Sequence, residues 1–164
     1  MILSAARGNR AAQRGSAAAE LRGARVLCID DDPDVCRGIE LRLRNDGVDV
    51  TCAYFGTQGL WLAMTSKPDV VITDIGMPSG SGDYIVECLK RNAQTRRIPL
   101  LVLSGRKDDA MRHRLLSLGV ERWLTKPIRH DDLIAVLRPL VRPATAARPP
   151  GRADEERSGS CFAG

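Results

Sequence analysis

Long hydrophobic runs are missing from this sequence. No apolar stretch approaches the roughly 18 residues of a membrane span, and the Arg-rich start from Met1 to Arg25 lacks the apolar core of about 7 to 15 residues that marks a signal peptide. The folded part is therefore expected to be cytoplasmic. No Cys-x-x-Cys pair occurs, and five cysteines (Cys28, Cys36, Cys52, Cys88, Cys161) are an odd count. That argues against a disulfide framework or a zinc site and for reduced, mostly buried thiols. Aromatics are scarce, with two each of Trp, Tyr and Phe, and neither an aromatic-basic stripe nor a helix-turn-helix signal is present, so direct DNA binding is not expected. The net charge of +5 does not change this. Residues 1–25 carry +4, residues 142–164 carry +1, and the body between them balances at zero.

What is present begins with Val70-Val71-Ile72-Thr73-Asp74-Ile75-Gly76-Met77-Pro78. Four apolar or β-branched residues run without alternation into one carboxylate and then a Gly/Pro loop. This is the pattern of a buried parallel strand delivering an acid to its C-terminal tip. Continuous apolar runs recur at Val26 to Ile29, ending in Asp30-Asp31-Asp32-Pro33, and at Ile98 to Leu103, ending at Ser104-Gly105; Val48 to Ala53, flanked by Gly47 and Gly56, and the short stretch Glu121 to Thr125, ending at Lys126-Pro127, complete the strands. Between them lie helical patterns. Pro33 suits the first turn of a helix carrying Val35, Ile39 and Leu43, with Gly47 ending it, and Thr57 is expected to cap a helix carrying Leu60, Trp61 and Met64 that stops before Pro68. Tyr84, Ile85, Cys88 and Leu89 form the next stripe. A helix from about Asp108 to Leu118 ends at Gly119, and a last one starts near Asp131 with Leu133, Val136, Leu137, Leu140 and Val141 on one face.

Five alternations of strand and helix call for a doubly wound, five-stranded parallel sheet flanked by five helices, an α/β fold with right-handed crossovers. With 43% hydrophobic residues, one domain of ordinary size is expected over residues 25–142. Residues 1–24 and 143–164 are expected to be disordered Ala/Arg/Gly-rich and Pro/Arg/Gly-rich extensions, with at most a frayed turn at 17–22.

In such a sheet the strand tips share one edge, where ligands of open α/β folds sit. Asp30, Asp31, Asp74, Ser104 and Lys126 each close a strand and should converge there. Clustered carboxylates repel unless a cation neutralises them, and hard oxygen donors at a half-open edge suit Mg²⁺. A carboxylate beside that ion, with a lysine and a hydroxyl to share equatorial charge, is equipped to accept a phosphoryl group. The product would be an acyl phosphate on Asp74.

Taken together, Val26 to Asp32, Asp74-Ile75-Gly76-Met77-Pro78 with Gly82 after it, Leu101-Val102-Leu103-Ser104 and Trp123-Leu124-Thr125-Lys126-Pro127 resemble, in order and spacing, the CheY-like receiver domain of two-component response regulators. The resemblance implies a flavodoxin-like receiver fold and Asp74 as phosphoacceptor from a sensor histidine kinase or histidine phosphotransfer protein. It implies Asp31 and Asp74 as direct Mg²⁺ ligands with the Gly76 backbone carbonyl, Asp30 in the same acidic pocket, and Ser104 and Lys126 on the phosphoryl oxygens. It further implies a cis bond before Pro127, a switch through Ser104 and residue 123, and readout to a downstream target protein by the fourth helix, fifth strand and fifth helix. Such a protein is not an enzyme beyond its own phosphotransfer and dephosphorylation. The departures are Trp123, where the family usually has Tyr or Phe, and a short tail where an output domain often follows, so the expectation is a single-domain regulator acting through partner binding.

Two alternatives compete. One is a degenerate receiver serving only as an interaction module. The other is a haloacid-dehalogenase-like phosphatase using Asp30-x-Asp32, Ser104, Lys126 and Asp131-Asp132, although that motif calls for Thr or Val where Asp34 stands. A calcium loop beginning at Asp30 fails on Val35 and Leu41, where Gly and Glu are needed. His113 and His130 lie beside charged residues on or near helices and are expected to be surface histidines.

Overall fold

A computed structural model of the chain describes residues 20–77, 82–105 and 107–141. Pro78, the Ser79 to Ser81 part of the Gly-rich loop, Cys161 and nearly all of both extensions lie outside the described residues.

Five strands and five helices alternate: β1 (Arg25–Ile29), α1 (Pro33–Arg44), β2 (Asp49–Ala53), α2 (Gly56–Ser66), β3 (Val70–Thr73), α3 (Gly82–Arg91), β4 (Leu100–Ser104), α4 (Asp109–Ser117), β5 (Arg122–Thr125) and α5 (His130–Leu137). The strands make one parallel sheet in the order β2-β1-β3-β4-β5. The unbroken apolar runs have a direct cause: alternate residues serve opposite faces, and both faces are covered. Val26, Cys28, Val70, Ile72, Leu101 and Leu103 join Ile39, Leu43, Leu133 and Leu137 of α1 and α5 in one core. Leu27, Ile29, Val71, Leu100 and Val102 join Ala63, Ile85, Val86, Leu89 and Leu115 of α2, α3 and α4 in the other.

Several local expectations are corrected. Thr57 does not cap α2; the N-cap is Phe55, without a side-chain bond, and Thr57 sits in the first turn. The Gln58 side chain instead accepts from the Tyr54 N–H at 2.8 Å. The faces of α2 and α3 also differ from the stripes expected. Gly59 and Ala63 are the buried residues of α2, because the helix lies so close to β1 that a Cβ at Gly59 would come within 2.4 Å of Ile29 Cδ1. Trp61 is turned outward, 59% exposed, and Tyr84 likewise at 62%, with Val86 taking the inward position on α3. Finally, packing starts before Arg25: Leu21 and Ala24 are buried in the α1/α5 core, and Gly23 N–H donates to the Gly47 carbonyl at 2.8 Å. A buried Leu contributes about 1.5–3 kcal/mol, so residues 20–24 belong to the domain.

Candidate functional site

The carboxyl ends of β1, β3, β4 and β5 bring Asp30, Asp74, Ser104 and Lys126 to one edge of the sheet. Asp30 follows β1 directly and its N–H donates to the Ala53 carbonyl at 3.0 Å, while the Asp74 N–H donates to the Ile29 carbonyl at 2.8 Å. The ladder thus holds both acids by their backbones. Their side chains are fixed by turns as well. Asp30 Oδ1 accepts from the Asp32 N–H at 3.1 Å and Asp74 Oδ1 from the Gly76 N–H at 2.9 Å. Asp32 then caps α1 by accepting from the Asp34 N–H, with Pro33 at the first helical position, where its missing N–H costs nothing.

Lys126 bridges the two acids. Its ammonium Nζ is 2.6 Å from Asp30 Oδ2 and 3.0 Å from Asp74 Oδ2. Its backbone N–H donates to the Ser104 carbonyl at 3.0 Å, which ties the tips of β4 and β5 together, and the Lys126–Pro127 peptide is cis. Asp30 is 2% exposed, and burial pushes its carboxyl above the usual range, overriding the Lys126 and Asp32 hydrogen bonds that favour the charged form. Burial works against the charge on Lys126 as well, but the hydrogen bonds to Asp30 and Asp74 outweigh it and raise its pKa. The charged lysine is therefore what makes two adjacent acids tolerable in this crevice.

One carboxylate oxygen each from Asp30, Asp31 and Asp74 lies within 4.8 Å of the others, the only such group of three among the described residues. Three hard oxygen donors, one of them on the exposed Asp31, fit a small divalent cation that keeps part of its water shell. Ser104 is fully buried at the end of β4, and Trp123 is half-buried, packed against the core shared with α4. Beside Lys126 a cavity of about 440 Å³ opens between α1 and the β5–α5 loop, lined by Val35, Gly38, Ile39, Leu103, Pro127 and Ile128 among others.

The competing constellations do not assemble. Asp32, needed by the phosphatase reading, is committed to capping α1 and is not in the acidic trio. A twelve-residue calcium loop from Asp30 is pre-empted by α1 starting at Pro33. His113 is exposed on α4, and His130 lies at the start of α5 with Nε2 3.2 Å from Asp46 Oδ2. What the sequence reading missed is long-range: the Arg114 clamp on Asp83 and Glu87 that joins α4 to α3, and the Cys36–Cys28 thiol contact. Only the Cys28-to-Cys36 spacing, from a strand end into a helix's first turns, offered a signal.

Comparison with known proteins places this geometry. The family model described as "Response regulator receiver domain" matches residues 26–138. The transcriptional regulatory protein KdpE of Mycobacterium tuberculosis is 37% identical over 122 residues, 74% of this chain and 53% of that protein. PrrA of Mycobacterium bovis, another transcriptional regulatory protein, is 36% identical over 118 residues, covering 72% and 50%. The chain thus spans about half the length of these curated relatives. Among solved structures, the chemotaxis protein CheY4 of Vibrio cholerae superposes with a TM-score of 0.67 at 26% identity, covering 72% of this chain and 98% of that one. The receiver domain of the Francisella response regulator 1452 gives 0.65 at 30% identity, covering 72% and 96%.

Proposed function

The chain belongs to the response regulator receiver domain family, and we propose that it accepts a phosphoryl group on Asp74 from a histidine kinase or histidine phosphotransfer protein. The observation that carries this reading is the Lys126 ammonium bridging Asp30 and Asp74 at the strand tips, with Asp31 in reach of both. An Asp74 carboxylate oxygen attacks phosphorus, the new O–P bond forms, and the donor's P–N bond breaks with its electron pair and a proton going to the departing imidazole. Asp30, Asp31 and Asp74, with the Gly76 carbonyl, would hold Mg²⁺, which supplies charge neutralisation to the phosphoryl oxygens. Lys126 exchanges its contact with Asp74 for a phosphoryl oxygen, keeping Asp30 as its anchor. Ser104, one strand away, supplies a hydroxyl to another.

Readout follows from the same groups. A dianion on Asp74 offers Ser104 a charge-assisted hydrogen bond that exists only in the phosphorylated state. The loop after β4 is drawn inward, Trp123 repacks, and the α4–β5–α5 face shifts toward the form that a downstream protein binds. No helix among the described residues is long and apolar enough to cross a membrane. The test is incubation with a small acyl phosphate and Mg²⁺, then intact mass and mapping of the modified residue. One phosphoryl group on Asp74, absent in Asp74→Asn and after removal of divalent metal, is the expected result. Equal labelling of the Asn variant would refute the assignment.

A further inference from the structure

Three thiols meet beneath the acidic loop. Cys28 on β1 and Cys52 on β2 are register partners, and Cys36, in the first turns of α1, is their common neighbour. Its Sγ lies 3.8 Å from that of Cys28, and its S–H donates toward the Asp30 carbonyl at 3.6 Å. Cys36 and Cys28 are 0% and 1% exposed, and both are free thiols. A three-thiolate metal site is not what they form, since among the described residues only the acidic trio groups closely enough to hold an ion. The informative feature is what lies between them in the chain. Cys28 and Cys36 bracket Ile29-Asp30-Asp31-Asp32-Pro33-Asp34-Val35, so a bond between the two sulfurs closes a ring around both Asp30 and Asp31.

We propose that Cys28 and Cys36 are a redox-sensitive dithiol, converted by hydrogen peroxide to a disulfide that straddles the acid loop and so couples oxidation to the phosphoacceptor pocket. The Cys36 sulfur attacks a peroxide oxygen, the O–O bond breaks, and a sulfenic acid forms while water leaves carrying the thiol proton. The Cys28 sulfur then displaces the sulfenic hydroxyl, the S–S bond forms and a second water departs. Two thiols lose two electrons and the peroxide gains them. An S–S bond is about 2.05 Å long, so the sulfurs close by nearly 2 Å from their present contact. The first turn of α1 moves toward β1, and the Asp30 carbonyl loses its S–H donor. The consequence for phosphotransfer rests on the reading given under Proposed function. Misplacing reacting groups by about 1 Å can cost on the order of 100-fold, so labelling of Asp74 should slow roughly ten-fold or more. Both thiols are sealed from solvent, so oxidation needs the acid loop to open, and Mg²⁺ held by that loop slows it.

The experiment treats the full chain with hydrogen peroxide, with and without Mg²⁺, then blocks remaining thiols by alkylation and digests with trypsin without reductant. Cleavage after Arg25 and Arg37 leaves both cysteines in one peptide, Val26–Arg37. The expected result is that peptide unalkylated and lighter by two hydrogens, restored by dithiothreitol, formed several-fold more slowly with Mg²⁺, and absent in Cys28→Ala. Full alkylation of both thiols after peroxide, separate sulfinic acids, or a Cys36–Cys52 cross-link instead would overturn the disulfide. Oxidised chain labelled by a small acyl phosphate as fast as the dithiol form would overturn the coupling. If the reduced chain takes no phosphoryl group at all, the phosphoacceptor reading fails, while peptide mass and Mg²⁺ protection still decide the dithiol.

Discussion

Two glycine-to-alanine substitutions, the same chemical change, should move stability in opposite directions. Gly38 stands in the middle of α1, where glycine costs about 0.5–1 kcal/mol relative to alanine through backbone entropy. A Cβ there would meet a single atom within 4 Å, Arg42 Nη2 at 3.9 Å, which is ordinary contact. Gly38→Ala should therefore stabilise by about 0.5–1 kcal/mol. With an unfolding entropy of about 2.1 cal/mol/K per residue over a domain of this size, that is a rise in Tm of roughly 2–4 °C. Gly82 at the start of α3 is different, because its Cβ would lie 2.3 Å from Ile75 Cα and 2.6 Å from the Asp74 carbonyl oxygen. These are backbone atoms that no rotamer change can move aside. Gly82→Ala should cost at least the upper end of the roughly 1–3 kcal/mol seen for overpacking, and should slow labelling of Asp74 by displacing the chain that carries it. Urea denaturation followed by circular dichroism, with labelling by a small acyl phosphate, reads both. A destabilised Gly38→Ala, or a Gly82→Ala as stable and as readily labelled as the parent, would refute the reasoning.

Lys126→Ala should still be labelled on Asp74 but should fail to activate its target normally, and normal activation once phosphorylated would remove the lysine from the mechanism. Its stability should also fall by roughly 1–3 kcal/mol, the cost of leaving a buried charged acceptor unpaired, less so with Mg²⁺ present. Asp30 has a raised folded pKa, so the folded state binds that proton more tightly than the unfolded one. The deficit should accordingly be largest at neutral pH and shrink as pH falls through the folded Asp30 pKa, which melting curves from pH 7 to pH 4 would show. Deleting residues 1–19 should leave Tm and labelling unchanged, whereas Leu21→Ala should cost about 2–5 kcal/mol as a core truncation; a neutral Leu21→Ala would mean that the segment does not pack. With Trp61→Phe, an exchange at a 59% exposed position, Trp123 becomes the sole tryptophan. Its emission should change on adding phosphodonor and Mg²⁺ but not in the Asp74→Asn background, and unchanged emission at full phosphorylation would sink the switch while leaving phosphotransfer standing.

The amino-acid sequence by itself determined the five strands, their parallel arrangement and the edge where the chemistry gathers. The central strands β1, β3 and β4, covered on both faces, leave the strongest local signal there is, an unbroken apolar run, and an acid or serine ending such a run can only be at the tip; the edge strands β2 and β5 were read from the Gly and Lys126-Pro127 signals that bound them. Pro33 in the first turn of α1 and the start of α4 near Asp108 were equally legible, because both signals act within three residues, whereas the cap expected at Thr57 was not formed. Tertiary structure decided what depends on distance between elements. Trp61 and Tyr84 look like core by helical spacing yet face outward: the closeness of α2 to β1 admits only Gly59 and Ala63, and on α3 Val86 takes the inward position. Leu21 looks like part of an Ala/Arg tail yet is buried, because the fold brings it against α1 and α5. The bridge from Lys126 to Asp30 and Asp74 spans 96 and 52 residues, and the closing of Cys36 onto Cys28 depends on how α1 lies on the sheet. Local periodicity records which side of an element is apolar, but only the packed chain sets which atoms meet.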